Sequence, residues 1–255
     1  MGSLSLTALP GIPEIRPGDD LAAETLAALR RAGLAEPLAG LVLAVAHTAV
    51  SKAEGASVEL DGIAPGERAR RLAAEQGKDP RLVQVVLDES TEVLRAERGV
   101  LICRTRHGFV SANAGVDASN AGADGRAIVL PEDPDASARS LRARIGELAH
   151  EAPPAILITD SFGRAWRHGQ VDVAIGVAGL SPLDDWRGRT DAEGLELQAT
   201  WIAVADAVAA ATDLARAKDS REPVVAISGL SRFLTAEDGP GAAALLRAPA
   251  EDLFL

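Results

Sequence analysis

Polar side chains interrupt two apolar parts of the sequence at points where strands are predicted to end. Residues 113–120 read NAGVDASN and include the carboxylate of Asp117. Residues 156–158 are apolar and lead through a threonine to Asp160 and Ser161. Carboxylate and hydroxyl oxygens suit a hard divalent cation that also binds phosphate oxygens. Each stretch alone could instead be an Asx turn that caps a strand, but the two together favour a metal and phosphate site.

A third polar segment follows the apolar run at residues 41–46. It reads HTAVSKAEG and carries the hydroxyl of Thr48 and the ammonium group of Lys52, which could hold phosphate oxygens. The paired glycines that precede the lysine of a Walker A loop are missing. A solvated strand exit is therefore the alternative interpretation. The four histidines, His47 included, lack ligand-like spacing and are interpreted as surface or local structure.

These segments need a scaffold of mixed helices and strands. Asp20 is predicted to cap a helix that stops near Gly33, and Asp135 is predicted to cap another. Apolar periodicity and turn residues predict the remaining elements. The predicted helices after the first are residues 65–77, 80–94, 136–148 and 195–215, and the predicted strands include residues 41–46, 171–177 and 223–228. Because helices and strands do not alternate cleanly, the sequence predicts an α+β fold.

Composition excludes several classes of protein. With 255 residues and a net charge of −11, the chain can bury a real core, and its surface would repel a nucleic acid. The single cysteine, Cys103, excludes an intramolecular disulfide and a cysteine-rich zinc site, and is predicted to lie in the core. No apolar run reaches membrane-spanning length and no signal-peptide pattern begins the chain. A cytoplasmic protein without membrane partners is expected.

Several segments resemble the coenzyme F-420:gamma-L-glutamate ligase family, also described as F-420-0:gamma-glutamyl ligase. The resemblance runs from Gly11 to about residue 230. It is carried by residues 11–15 (GIPEI), 18–20 (GDD), 51–55 (SKAEG), 113–120 (NAGVDASN), 131–137 (PEDPDAS), 158–167 (ITDSFGRAWR), 185–189 (DWRGR) and 205–206 (AD). The order and separation of the GVDASN and TDSFGR pieces make the resemblance specific.

The resemblance implies a fold, an activity and cofactors. The expected fold is two intimately packed α/β parts with coiled antiparallel sheets, which would make residues 1–255 one ligase unit without the C-terminal reductase-like domain of some relatives. Family members add L-glutamate to F-420-0, first through an amide and then through gamma-glutamyl links. They use GTP, pass through an acyl phosphate, and release GDP and phosphate. Two divalent metal ions (Mn2+ or Mg2+), a K+ ion and a homodimer with its site near the subunit interface are also implied.

The resemblance also assigns roles to individual residues. Asp117 and Asp160 match metal ligands, Ser161 matches a ligand of the second metal, and the two aspartates with Lys52 form the expected catalytic set. The implied nucleotide contacts are Ile12, Pro13, Glu14, Ile15, Thr48, Lys52 and Asn120, with His47 at a position where a hydroxyl-bearing contact can occur. Four arginines are further candidates for anion binding, with a solvated face as the alternative: Arg164, Arg167, Arg187 and Arg189.

Residues 214–223 (LARAKDSREP) depart from the family pattern. Family members place a glycine-rich segment with an acidic or amide residue here, whereas this chain has lost the glycines. One hypothesis is that Asp219 supplies the second-metal ligand and Lys218 contacts a phosphate or water. The alternative is that both are solvated loop residues.

Two functions from different classes follow. The first is an active GTP-dependent ligase, and the second is a non-catalytic paralogue that binds the nucleotide or deazaflavin without turnover. The intact Asp117, Asp160, Ser161 and Lys52 favour the ligase. A metal-dependent phosphohydrolase is a third and weaker possibility.

Overall fold

The computed structural model describes residues 2–34, 37–118 and 125–252, and within them six α-helices and twelve strands. The helices are α1 (Leu21–Arg31), α2 (His47–Glu54), α3 (Glu67–Gln76), α4 (Pro80–Asp88), α5 (Pro134–Ala149) and α6 (Val204–Thr212). The strands are β1 (Ser5–Ala8), β2 (Leu41–Ala46), β3 (Ser57–Glu59), β4 (Ser90–Glu97), β5 (Val100–Thr105), β6 (Val110–Ala112), β7 (Arg126–Ile128), β8 (Ala155–Arg164), β9 (Arg167–Ala178), β10 (Leu183–Asp185), β11 (Trp201–Ala203) and β12 (Val224–Ser228). This mixture confirms the predicted α+β class.

The largest sheet has five strands in the order β1-β12-β2-β8-β9. Its neighbouring strands are antiparallel except for β2 and β8, which run parallel with Ala46 opposite Thr159. Five of the six residues of β2 are buried, as a strand with both faces covered requires. Because parallel strands end at the same edge of a sheet, the segments after β2 and within the second half of β8 lie together.

Helices cover both faces of this sheet. Alternate residues of β2 point to opposite sides, so that Leu43 joins a core with α1 and α5 while Ala44 joins a core with α6. Asp20 caps α1 as predicted, and its carboxylate accepts a hydrogen bond from the Ala23 amide at 3.0 Å. The two cores hold the strand ends in place on either side.

A second layer has its own core. β4, β5 and β6 form an antiparallel sheet on which α3 and α4 pack, and Cys103 is fully buried there, as predicted. β3 pairs with β7, and Ile128 at the end of β7 also pairs with Asp117. None of the helices in the described residues combines the length and apolar content that crossing a membrane requires.

Two predicted helices are wrong in extent. The helix predicted for residues 195–215 contains only α6, and residues 201–203 form β11 against β10. The helix predicted for residues 80–94 ends at Asp88, because residues from Ser90 onwards pair with β5. In both cases strand pairing outweighed an apolar spacing that also suited a helix.

The predicted cap of the fourth helix is also wrong. Asp133 caps α5 by accepting a hydrogen bond from the Ala136 amide at 2.9 Å. Asp135 instead accepts hydrogen bonds from the backbone amides of Val177 and Ala242, each at 2.8 Å. Asp135 therefore joins the start of α5 to β9 and to the C-terminal segment.

Candidate functional site

A cleft of about 700 Å³ lies beyond the end of β2 and beside the middle of β8. Its walls come from six segments that are far apart in the sequence. The predicted site residues that line it are Ile12, Pro13, Glu14, Ile15, His47, Thr48, Lys52, Asp117, Asp160, Ser161 and Lys218. Such a position agrees with the general tendency of α/β sheets to bind ligands beyond the carboxyl ends of their strands.

The first wall of the cleft is the start of α2. No side chain caps this helix, whose first residues His47, Thr48 and Ala49 all line the cleft. Free backbone amides at a helix N-terminus and the helix dipole favour an anion. Lys52 is one turn further along, and its Nζ atom donates a hydrogen bond to Glu14 Oε1 at 2.5 Å. Since Glu14 is largely exposed, this pair can open when a ligand arrives.

The second wall is the second half of β8, where His47 meets Asp160. The sequence predicted that this strand ends at Asp160, and that prediction is wrong, because β8 continues to pair with β9 as far as Arg164. The Nε2 atom of His47 lies 3.3 Å from Asp160 Oδ1, and the same oxygen accepts the Ser161 amide at 2.7 Å. Both contacts use Oδ1. Among the described residues, none donates a hydrogen bond to Oδ2 of Asp160, so this oxygen is available to a ligand. His47 is 5% exposed. The interpretation of this histidine as a surface residue is therefore wrong.

Only one of the two ring nitrogens of His47 has a polar partner among the described residues. Its Nδ1 atom is buried and has no hydrogen-bond partner among the described residues. Because an unpaired buried polar atom costs free energy, a group of this kind in a cleft needs an explanation. His47 lines the cleft next to Asp160 and is part of the candidate site.

Asp117 faces the cleft from the loop that follows β6. Its backbone is fixed by two hydrogen bonds with Ile128, from the amide of Asp117 at 2.9 Å and to its oxygen at 2.8 Å. A short helical turn precedes it, in which Asn113 and Ala114 adopt left-handed φ values of 52° and 54°. Asn120, a predicted nucleotide contact, lies outside the described residues.

A buried carboxylate that the sequence analysis missed supports the middle of β8. Asp172 on β9 is 1% exposed. Its Oδ2 atom accepts hydrogen bonds from the Thr159 hydroxyl at 2.9 Å and from Arg216, and its Oδ1 atom accepts one from the Ser161 hydroxyl at 2.7 Å. The Asp172 amide donates to Asp213 at 2.8 Å. The signal in the sequence was an aspartate between two valines of a predicted strand, since a buried charge requires partners.

Opposing effects set the pKa of Asp172. Burial acts to raise it, but the hydrogen bond from Ser161 and the positive charge of Arg216 outweigh burial, with help from Thr159 and Lys218. The net result is a pKa below the ordinary value of 3.8. Asp172 therefore remains an anion at neutral pH and holds Thr159, Ser161 and Arg216 in fixed positions.

The other predicted anion-binding residues do not line the cleft. Arg164 donates to the backbone oxygen of His168 at 2.6 Å, within the hairpin of β8 and β9, and Arg167 is exposed on the same hairpin. Arg187 pairs with Asp185 at 2.7 Å, which lowers the pKa of that carboxyl group to about 2. These contacts are local, whereas Arg216 and Arg221 do line the cleft.

Asp117 and Asp160 are the carboxylates of the cleft whose oxygen atoms are candidates for binding a metal ion. Within the described residues, no three side chains of the His, Cys, Asp and Glu types come close enough to hold a metal ion by themselves. Asp117 and Asp160 both face the cleft. Mg2+ is commonly bound by one or two carboxylates together with substrate phosphates and water. The arrangement can therefore hold a hard divalent cation together with a phosphate-bearing ligand.

Comparison with known proteins covers nearly the whole chain. Residues 11–229 match the family model described as F420-0:Gamma-glutamyl ligase. The chain is 46% identical over 259 residues to the coenzyme F420:L-glutamate ligase of Methanopyrus kandleri, a match that spans all of both chains. It is 42% identical over 252 residues to the enzyme of the same description from Methanothermobacter thermautotrophicus, with 98% of each chain covered.

Proposed function

Since the chain belongs to the F420-0:gamma-glutamyl ligase family, we propose that it uses GTP to join L-glutamate to F-420-0. The first bond is an amide, and later additions form gamma-glutamyl links. The structural observation that carries the proposal is the single cleft shared by Asp117, Asp160, Thr48 and Lys52. An activated nucleotide requires positive charge and hard oxygen ligands at one place, and this cleft offers both.

The reaction proceeds in two balanced steps. In the first, a carboxylate oxygen of F-420-0 attacks the terminal phosphorus of GTP, so that an acyl phosphate forms and the bond to GDP breaks. In the second, the amine nitrogen of glutamate attacks the acyl carbon, the bond between that carbon and the phosphate oxygen breaks, and the nitrogen loses a proton. Phosphate leaves and an amide remains. Neither step requires a covalent bond to the protein, which makes positioning and charge neutralisation the main tasks of the side chains.

The residues of the cleft divide these tasks. The uncapped first turn of α2 and the hydroxyl of Thr48 are placed to receive phosphate oxygens. Lys52 exchanges its ion pair with the exposed Glu14 for a phosphate oxygen. Asp172 keeps Ser161 and Thr159 fixed in the wall of the cleft.

Asp117 and Asp160 would hold a divalent cation, manganese or magnesium. When bound, such a cation neutralises the developing charge on the transferred phosphoryl group. His47 contacts Asp160 Oδ1 and so orients that carboxylate. We further propose that the protein binds a potassium ion, forms a homodimer and is cytoplasmic. Sedimentation of the purified protein tests whether it is a dimer.

Mass spectrometry of the deazaflavin product tests the proposal. Purified protein with F-420-0, GTP, Mn2+ and glutamate should yield products heavier by one or more glutamyl residues, and phosphate release should require both F-420-0 and glutamate. A non-catalytic binding paralogue would give neither product nor phosphate. A phosphohydrolase would release phosphate when glutamate is omitted.

A further inference from the structure

Lys218 places its ammonium group directly on Ser161. The Nζ atom donates a hydrogen bond to Ser161 Oγ at 2.5 Å and lies 3.7 Å from Asp172 Oδ1 and 3.9 Å from Asp213 Oδ1. Ser161 is the side chain for which the resemblance implies a role as ligand to a second divalent cation. In this chain a protein cation already occupies that position.

The oxygen atoms around Lys218 are already engaged. Ser161 Oγ accepts from Lys218 and donates its own proton to Asp172 Oδ1 at 2.7 Å. The other oxygen of Asp172 accepts from Thr159 and Arg216. The negative charges of Asp172 and Asp213 are therefore balanced by the positive charges of Arg216 and Lys218.

Asp219 does not complete a metal site in this arrangement. Its side chain is exposed, and it is not among the residues that line the cleft. A divalent cation bound to Ser161 Oγ would share that oxygen with the ammonium group of Lys218, and two cations at such short range repel each other strongly. The residues present do not fit a second divalent cation at Ser161.

We propose that the Lys218 ammonium group takes the place of a second divalent cation and binds a nucleotide phosphate oxygen, so that each chain binds one divalent cation. This inference rests on the proposed function, because it assigns a role in binding the same nucleotide. The Lys218 side chain is 65% exposed and lines the cleft, so its ammonium group can contact a ligand without leaving Ser161. An ammonium group has three donors and acts as a compact charge, which suits both contacts.

Manganese binding provides a test that does not depend on catalysis. Wild-type protein is titrated with Mn2+ at saturating guanosine 5′-(β,γ-imido)triphosphate, and free Mn2+ is measured by electron paramagnetic resonance. We expect one Mn2+ per chain. Two Mn2+ ions per chain would overturn the proposal.

A pair of matched variants tests the contact with phosphate. Lys218→Met keeps the length of the side chain and removes its charge, and Lys78→Met is the control because Lys78 does not line the cleft. We expect Lys218→Met to weaken binding of the same nucleotide analogue about tenfold at saturating Mn2+, as the loss of a charge-assisted hydrogen bond predicts. An unchanged affinity in the folded variant would overturn the proposal.

The product assay separates this inference from the function on which it rests. Two bound Mn2+ ions in a protein that elongates F-420-0 would contradict the role proposed for Lys218 and support the ligase function. One bound Mn2+ in a protein that makes no product would contradict the ligase function and agree with the role proposed for Lys218. If Lys218→Met does not fold, the Mn2+ count of the wild-type protein decides alone.

Discussion

The guanidinium group of Arg216 donates a hydrogen bond to the carboxylate of Asp172 in the interior of the protein. The two side chains are 11% and 2% exposed. This ion pair joins the segment after α6 to β9, and Arg216 also donates to the Thr159 hydroxyl at 3.0 Å. The pair therefore connects three of the segments that form the cleft.

Replacing Asp172 should destabilise the protein. Asp172→Asn keeps the shape of the side chain but leaves the Arg216 charge buried without a counter-ion, which we expect to lower the free energy of unfolding by about 3 kcal/mol. Urea denaturation at pH 7 measures the change. Asp61→Asn is the matched control, because the Asp61 side chain is 93% exposed although it also pairs with an arginine. A loss no larger than that of the control would contradict the assigned role of the pair.

The contribution of Asp172 to stability should disappear in acid. Its pKa in the folded protein is below the ordinary value of 3.8. Between the folded and unfolded pKa values the unfolded chain binds a proton that the folded protein does not, so stability rises with pH in that range. The difference in unfolding free energy between wild type and Asp172→Asn should be constant above the unfolded pKa and shrink as pH falls through the folded pKa. If the difference in unfolding free energy grew as the pH fell, the prediction would be contradicted.

The two carboxylates proposed to hold the cation should be essential for turnover. Asp117→Asn and Asp160→Asn each remove one charged ligand, and we expect each to lower the rate of glutamate addition by roughly a hundredfold or more. The rate is measured by product mass at several Mn2+ concentrations, and circular dichroism confirms the fold. Asp61→Asn again serves as the control. A near-normal rate at low Mn2+ would remove that residue from the site.

Close packing between β9 and α5 should make Gly176 irreplaceable. A methyl group added there would lie 2.3 Å from the backbone oxygen of Pro134, which cannot move without shifting the start of α5. We expect Gly176→Ala to lower the free energy of unfolding by about 1–3 kcal/mol. Gly163→Ala on β8 is the comparison, since an added methyl group there meets no atom within 4 Å. Equal unfolding midpoints for the two variants would show that the start of α5 can shift at little cost in free energy.

The sequence by itself determined the fold class, the family and many of the polar residues that face the cleft. Apolar runs that end abruptly in polar residues mark strand ends, because a buried strand cannot carry unpaired polar groups. That local rule identified Thr48, Lys52, Asp117 and Asp160, and all four line the cleft, although Asp160 lies within β8 and not at its end. The parallel pairing of β2 and β8 explains why side chains so distant in sequence meet.

The tertiary structure alone decided which charges are paired and which elements become strands. Arg216 and Asp172 are 44 residues apart, and local periodicity contains no information on a contact of that range. The same is true of Lys218 and Ser161, which are 57 residues apart. Residues 90–94 and 201–203 have spacings that suit a helix, but their hydrogen bonds go to neighbouring strands. The energy of long-range pairing and burial decides such cases, and that energy depends on partners that only the folded chain brings together.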